Sequence, residues 1–356
     1  MRELKILLTG SGAPGWVSIY RCLKAADRNL EILGCDISSK TAGGYIAKKS
    51  FTVSPGNSPK YIGELLSLCV KEKVDVVLPI TDAELLPLAK KSGLFEKKGI
   101  KICVSSVASL QIAADKLSLF RFLEKNGLGN PQYQLVNSWK GFVVAIKKLG
   151  YPKKAVCFKP TISWGSRGFR ILDPKINAYT IYIQQKPTSV YTSLEEMERI
   201  LNQAKQFPQL LVMEYLPGDE YTVDVFVSQG QALFVIPRKR IQTTGGITTE
   251  GVVENNKEII ALSKKIIEKL GLNYSVGVQL KYSINGKPKV LEVNPRLQGT
   301  SVISFAAGVN LPYLTILQSQ EKKLPKIKIK YGIHMYRHWE EIFIKNKKVI
   351  KIFNED

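Results

Sequence analysis

The chain has 356 residues, a length that suits about two domains, each able to bury its own core. Hydrophobic residues make up 44% and charged residues 23%, which excludes a disordered chain, and no apolar run reaches the ~18 residues of a membrane-spanning helix. The net charge is +22, but lysines alternate with glutamates, as in EKKGIKI and KKIIEKL, in the manner of solvated helix faces, so no nucleic-acid or membrane partner is expected.

The opening MRELKILLTG has no extended apolar region leading to a small-residue cleavage site, so LKILLTG reads as a first strand; the expectation of a cytoplasmic protein comes from its odd, scattered cysteines. After it comes TGSGAPGW, in which Gly10, Gly12 and Gly15 have the spacing of a dinucleotide fingerprint. A helix from Val17 to Ala26 and the strand EILGCD follow, the latter ending at Asp36, where a ribose acceptor would stand. Then come a helix over Pro59–Lys73, the strand VDVVLPI, a helix over Ala83–Ser92 and the short strand KICVSS. Such alternation predicts βαβ units and a parallel sheet with its ligand rim beyond the strands' carboxyl ends. Gly10 to Gly15, Asp36 and Pro79 to Asp82 share that rim.

Near residue 110 the pattern changes. ADKLSLFRFLEKNGLGNP reads as a helix capped by Asp115 and stopped by Gly127, and SLEEMERILNQAKQF opens with a Ser193/Glu196 capping box. AVCFKP and FRIL flank a Gly-containing loop, and LLVMEYL, YTVDVFVS and ALFVIPRKR follow as strands. This predicts an α+β unit with antiparallel hairpins, followed from about Lys322 by a strand-like, lysine-rich tail. The five cysteines, at 22, 35, 69, 103 and 157, form no CxxC pair and read as buried reduced thiols. His334 and His338 are the two histidines, and their strand-like setting argues against a helical metal site.

The most informative segment is SVGVQLKYSINGKPKVLEVNPR. Asn285-Gly286 is a hairpin signal. A two-residue turn there sets Ile284 against Lys287 and Gln279 against Glu292. Asn294 then shares the face of Gln279 and Glu292, while Val278, Leu280, Leu291 and Val293 cover the other. Three oxygen donors on one face suit Mg²⁺ or Mn²⁺, a hard cation usually completed by substrate phosphates. Arg296 is on the same side, placed to neutralise a phosphoryl group. A solvated hairpin face is the plain alternative. Lys159 ends a strand before a loop containing Ser163, Gly165, Ser166 and Gly168, whose N–H groups could wrap phosphate. In VMEYLPGDEYTVDVF, the backbone from Glu214 through Tyr215 to Leu216 could meet an adenine edge and Glu220 a ribose, or the segment is an ordinary turn.

The order Asp115-Lys116, Lys159 with its loop, MEYLPGDEYTVDV, PRKR and Gln279…Glu292-x-Asn294-Pro295-Arg296 resembles the ATP-grasp superfamily, closest to its carbamoyl-phosphate-synthase-like and carboxylate–amine ligase branch. The resemblance implies a Rossmann-like pre-ATP-grasp domain over 1–109, an α+β ATP-grasp domain over 110–320 with a lid at about 131–212, and a basic extension over 321–356. It implies that Lys116 and Lys159 contact ATP phosphates, that the loop from Ser163 to Gly168 closes over them, and that Glu214, Tyr215, Leu216 and Glu220 hold the nucleoside. It further implies that Gln279, Glu292 and Asn294 organise the metal and that Arg296 stabilises the phosphoryl group. The implied reaction joins a carboxylate, activated as an acyl phosphate, to an amine, with ATP cleaved to ADP and phosphate; a homodimer is compatible with it.

Arg238 and Arg240, before TTGGITTEG, are candidates for a bidentate clamp on the substrate carboxylate or for ordinary surface arginines. Gln279 stands where some relatives have glutamate, which leaves the metal site one negative charge poorer. No second grasp domain, amidotransferase domain or biotin-attachment segment is expected. Two other readings are weighed: a nicotinamide-dependent oxidoreductase using the N-terminal glycines and Asp36, and a non-catalytic nucleotide- or nucleic-acid-binding protein.

Overall fold

The computed structural model describes residues 3–161, 167–186, 189–346 and 348–350. The N-terminal unit runs β1 (Lys5–Thr9), α1 (Trp16–Ala26), β2 (Glu31–Asp36), α2 (Ala42–Ile46), β3 (Ser50–Thr52), α3 (Tyr61–Glu72), β4 (Val76–Leu78), α4 (Asp82–Glu96) and β5 (Lys101–Ile102). Its sheet has the order β3-β2-β1-β4-β5, and every pairing is parallel. Ile6, Leu7 and Leu8 of β1 are completely buried because helices cover both faces, as in doubly wound folds. The sequence did not announce α2 and β3. Helix α4 runs past the expected Ser92 to Glu96 and carries Pro87 at its sixth residue, early enough to cost few intrahelical bonds.

The middle unit contains α5 (Val107–Ala114), α6 (Lys116–Lys125), β6 (Tyr133–Val136), α7 (Trp139–Lys148), β7 (Val156–Pro160), β8 (Arg170–Leu172), α8 (Ala178–Gln184), α9 (Leu194–Leu201) and β9 (Leu210–Glu214). Its four-stranded antiparallel sheet is ordered β6-β9-β7-β8. Asp115 caps α6 through the Ser118 N–H at 2.6 Å, and Gly127 takes a positive φ of 63° just past its end. The capping box of α9 is only half formed: Ser193 accepts the Glu196 N–H, but the Glu196 carboxylate takes the Thr192 hydroxyl.

The last unit comprises β10 (Glu220–Ser228), β11 (Gln231–Thr244), β12 (Ile247–Val253), α10 (Lys257–Leu270), β13 (Tyr274–Tyr282), β14 (Pro288–Asn294), α11 (Val302–Ala306), α12 (Leu311–Ser319), β15 (His334–Tyr336), β16 (Phe343–Lys345) and β17 (Lys348–Ile350). The first four of these strands, with β14 and β15, form a six-stranded sheet ordered β14-β13-β10-β11-β12-β15. One of its faces is apolar: Val223, Val225, Val276, Val278, Leu280, Val290 and Val293 pack with Leu119, Leu123, Ile266 and Ile267 of α6 and α10. On the opposite face, Phe226, Ile236 and Val253 join Ile303, Leu311 and Leu314 in a core shared with Ile6, Leu8, Trp16 and Ile19 of the N-terminal unit. At roughly 1.5–3 kcal/mol per large apolar side chain, that shared core fixes the N-terminal rim against the six-stranded sheet.

Candidate active site

The hairpin between β13 and β14 sets the geometry. Its turn has three residues rather than two, because Ser283 pairs with Lys287 (Ser283 N–H to Lys287 C=O, 2.9 Å) and Gly286 takes a φ of 66°. Tyr282 therefore faces Pro288 and Leu280 faces Val290, one residue out of the expected register. A bulge between Gln279 and Leu280 restores it, so Gln279 does face Glu292 and Gly277 faces Asn294. The correction falls on Leu291. Val290, not Leu291, takes the buried apolar position, and the Leu291 carbonyl is turned to accept the Lys159 ammonium at 3.4 Å.

Across the sheet, Glu292, Gln279, Thr222 and Arg238 stand in one row, and Lys281, Glu220 and Arg240 in the row two residues away on the same face. Asn294 donates to Glu292 at 2.9 Å, which leaves its amide oxygen for another partner. Gln279, Glu292 and Asn294 thus offer neutral and anionic oxygens together, a donor set suited to Mg²⁺. Among the described residues no cluster of three or more His, Cys, Asp or Glu could hold a metal ion alone. An ion here would complete its shell with phosphate oxygens and water.

Two buried lysines face Glu292. Lys116 and Lys159 are 7% and 8% exposed. Burial lowers both ammonium pKa values from their ordinary range; Glu292 works against that in both, as do Asp82 and Asp115 for Lys116, while the nearby Lys116 charge further lowers that of Lys159. Lys116 also sits in the first turn of α6, where the helix dipole opposes a cation. Phe120 lies beneath Lys159, 5.9 Å from ring centre to Nζ. Two buried, desolvated cations beside Glu292 form a setting that a polyanion would relieve.

At the end of β9, Leu216 is buried, and Lys281 covers the Tyr215 ring at 5.3 Å. The Glu214 carboxylate accepts the Gln132 N–H at 2.8 Å. Glu220 pairs with Arg240, which also donates to Thr248 at 3.1 Å and to the Gly246 carbonyl at 2.7 Å. Of these groups, Lys281, Glu220 and Arg240 adjoin the metal-type row through the six-stranded sheet. Gly168 holds a φ of 74°, and a Cβ there would lie 2.7 Å from Pro160; Ser163, Gly165 and Ser166 lie outside the described residues.

Arg238 is where the sequence reading and the structure part most. It is 2% exposed, its Nε 2.8 Å and Nη2 2.9 Å from the Asp224 carboxylate, which also accepts the Ser304 hydroxyl at 2.6 Å. It is a buried ion pair inside the sheet–helix core, not an ordinary surface arginine, and Asp224 already takes the fork that a substrate carboxylate would use.

Arg296 forms a bidentate pair with Asp82, through Nε at 2.8 Å and Nη2 at 2.7 Å. Burial opposes its charge, yet Asp82, Glu292 and Glu84 hold its pKa above the ordinary arginine value. Two residues singled out for no role also reach this cleft. Gln298 lies over Gly277 and donates to the Arg296 carbonyl at 3.1 Å. Arg337 donates to the carbonyls of Gly299 at 3.0 Å and Thr248 at 3.3 Å, its pKa lowered by burial and by Arg238. The pairing of β12 with β15 brings Arg337 here, a contact between distant segments that no local pattern announces.

The N-terminal glycines serve packing. Gly10 has a φ of 63°, and a Cβ there would lie 2.6 Å from Thr81. Gly12 donates its N–H to Asp36 at 2.8 Å. A Cβ on Gly15 would lie 2.5 Å from the Gly299 Cα. Trp16 is wholly buried and donates to the Leu8 carbonyl at 3.1 Å. The third glycine thus admits another segment's backbone, where a nicotinamide enzyme would admit a pyrophosphate, and the oxidoreductase reading is set aside.

Comparison with known families agrees with this architecture. Residues 206–339 match the family described as ATP-grasp in the biosynthetic pathway with Ter operon. Residues 6–103 match the PylC-like N-terminal domain. The chain contains an ATP-grasp domain. Among its relatives is the carbamoyl phosphate synthase large chain of Clostridium acetobutylicum, 24% identical over 286 residues, 77% of this chain and 24% of the relative. The chain therefore spans about a quarter of that protein's length. The formate-dependent phosphoribosylglycinamide formyltransferase of Nitratiruptor sp. is 22% identical over 316 residues, 85% of this chain and 72% of the relative. An ADP complex of N5-carboxyaminoimidazole ribonucleotide synthetase shares the fold with a TM-score of 0.71 at 18% identity, covering 94% of this chain and 82% of that one. The biotin carboxylase domain of Hydrogenobacter thermophilus 2-oxoglutarate carboxylase, a dimer with MgADP, ADP and bicarbonate, gives 0.69 at 16% identity over 94% and 74%. All five cysteines are free and buried, and burial pushes the thiols of Cys22, Cys69, Cys103 and Cys157 up to about 12. No helix of the described residues is long and apolar enough to cross a membrane.

Proposed function

We propose that this ATP-grasp chain is a ligase that uses ATP to activate a carboxylate as an acyl phosphate, which an amine then attacks. The observation that carries the reading is the convergence of buried Lys116 and Lys159 on Glu292, beside the oxygen face of Gln279 and Asn294. This fits a polyphosphate better than any neutral ligand. A free carboxylate resists amines because oxide would have to leave; phosphorylation gives it phosphate as leaving group.

In this reading Lys116 and Lys159 bind the phosphate chain, and the segment from Ser163 to Gly168 covers it. Glu214, Tyr215 and Leu216 receive adenine at the end of β9, and Glu220, oriented by Arg240, receives the ribose. Gln279, Glu292 and Asn294 hold Mg²⁺, which when bound supplies charge neutralisation between the phosphates. A carboxylate oxygen bonds to the γ-phosphorus as the bond to the β-bridging oxygen breaks and ADP leaves. Arg296 neutralises charge on the phosphoryl group. The amine then bonds to the carbonyl carbon, phosphate departs with the former carboxylate oxygen, and the amine gives up a proton. No nucleophilic side chain is required, which agrees with a chain of two histidines.

The division at about residues 109 and 320, with a lid over about 131–212, is proposed for this working unit. Its partners are ATP, a small carboxylate and an amine. The dimeric 2-oxoglutarate carboxylase domain suggests a second copy, readable by light scattering. Buried thiols suit a cytoplasmic setting. The test is ADP release from MgATP across a panel of carboxylates (bicarbonate, formate, amino acids) and amines (ammonia, amino acids, hydroxylamine). Release that requires one carboxylate supports the reading. No release with any pair, together with no thermal shift by MgATP, overturns it.

A further inference from the structure

Arg296 belongs by sequence to the segment after β14, yet its side chain is held by the N-terminal unit. Asp82, the first residue of α4, lies 214 positions away and takes Nε and Nη2 as a fork at 2.8 and 2.7 Å. The Leu297 carbonyl takes Nη1 at 3.1 Å. Three of the guanidinium's five donors are thereby committed and its plane is set, with the remaining donors available to an anion. Both partners of the fork are about four-fifths shielded, at 19% and 22% exposure, so the pair is little screened by solvent.

The support under Asp82 is rigid. Glu84, 3% exposed, accepts hydrogen bonds from Thr9 Oγ1 at 2.7 Å, Thr81 N–H at 2.8 Å and Ile80 N–H at 3.1 Å, and one from the Tyr61 hydroxyl. That buried carboxylate ties the β4–α4 corner to β1 and α3. A second hold acts on the same loop. Gly15 abuts Gly299 so closely that a methyl group would stand 2.5 Å from the Gly299 Cα and 3.1 Å from its carbonyl oxygen. That oxygen is also the acceptor of Arg337 Nη2 at 3.0 Å. The loop after β14 is therefore gripped by the N-terminal unit at its arginine and at its glycine.

We propose that Asp82 and Gly15 are positioning residues that fix Arg296 for phosphoryl transfer, so that the glycine-rich turn acts on catalysis through the Gly299 backbone and not by holding a dinucleotide. The assignment rests on the ligase role given above to Arg296. Neither residue touches the reacting atoms. What they control is the plane and depth of the guanidinium, and a misplacement of about 1 Å at a transferring group costs about 100-fold in rate.

The test compares wild type, Asp82→Asn, Gly15→Ala and the surface control Glu321→Gln, which pairs only loosely with Lys101 at 3.6 Å. Two quantities are read: the rate at which phenylglyoxal labels Arg296, followed by peptide mass spectrometry, and kcat and KM for MgATP with bicarbonate or the fastest carboxylate of the panel. Asp82→Asn should speed labelling of Arg296 several-fold and lower kcat about 100-fold while KM for ATP stays near wild type. Gly15→Ala should do the same if it folds, and Glu321→Gln should do neither. Unchanged labelling in Asp82→Asn overturns the proposal, and so does faster labelling with unchanged kcat. If wild type releases no ADP at all, the ligase reading fails, and the labelling rates alone decide whether Asp82 holds Arg296.

Discussion

The Lys159 ammonium donates to the carbonyl of Leu291 because a bulge in the hairpin turns that carbonyl out of the ladder toward it. The same bulge brings Glu292 opposite Gln279. One local irregularity therefore sets both the phosphate-type cation and the metal-type oxygens. Lys159 is buried at a cost, held between an aromatic ring, a carbonyl and a shared carboxylate.

Replacing Lys159 with methionine should accordingly raise stability while removing nucleotide binding. Methionine fills the volume without a desolvated charge, so a gain of roughly 1 kcal/mol in urea unfolding is expected, with MgATP no longer shifting the melting temperature. A destabilised variant that still binds MgATP would contradict the assignment.

Protons should be taken up when nucleotide binds at alkaline pH. Burial holds the pKa of Lys159 below the ordinary lysine value. Folding is then favoured by this group above about pH 10.4, the unfolded value, and that contribution is lost as pH falls through the lowered native value. Phosphates beside the ammonium raise the native value again, so between the two values binding captures a proton. Calorimetry at alkaline pH values below about 10.4, in two buffers of different ionisation heat, should give binding enthalpies for wild type that differ with the buffer. Equal enthalpies for wild type would count against the coupling.

Arg238 should behave as a structural ion. Asp224 and the Arg238 side chain are 1% and 3% exposed, so Arg238→Met strands a buried carboxylate and should cost about 3–5 kcal/mol in urea denaturation. Adding Asp224→Leu should recover most of that loss. If the single variant keeps its stability but loses saturation by the carboxylate, Arg238 is a substrate ligand after all.

Much of this was legible from local pattern. The alternation of strands and helices to KICVSS announced a parallel sheet, and Asn285-Gly286 announced the hairpin that pairs Gln279 with Glu292. The hairpin count reached that pair through two errors that cancel, a turn one residue longer than expected and a bulge that absorbs it. Turn length and bulge depend on which side chains find a core, so Val290 could displace Leu291 without any sign in the alternation. The contacts Asp82 with Arg296, Gly15 with Gly299 and Arg238 with Asp224 were out of reach. Each joins segments whose adjacency exists only after the sheets have packed, and GxGxxG reads alike whether its last glycine admits a phosphate or another chain segment.

The most direct test of acyl phosphate formation follows one oxygen atom. The carboxylate that supports ADP release is labelled with ¹⁸O and turned over with MgATP and the amine, and the released phosphate is examined by mass spectrometry. The predicted result is one carboxylate oxygen in each phosphate, in step with ADP. Phosphate free of label, alongside ADP release and product formation, would contradict the account.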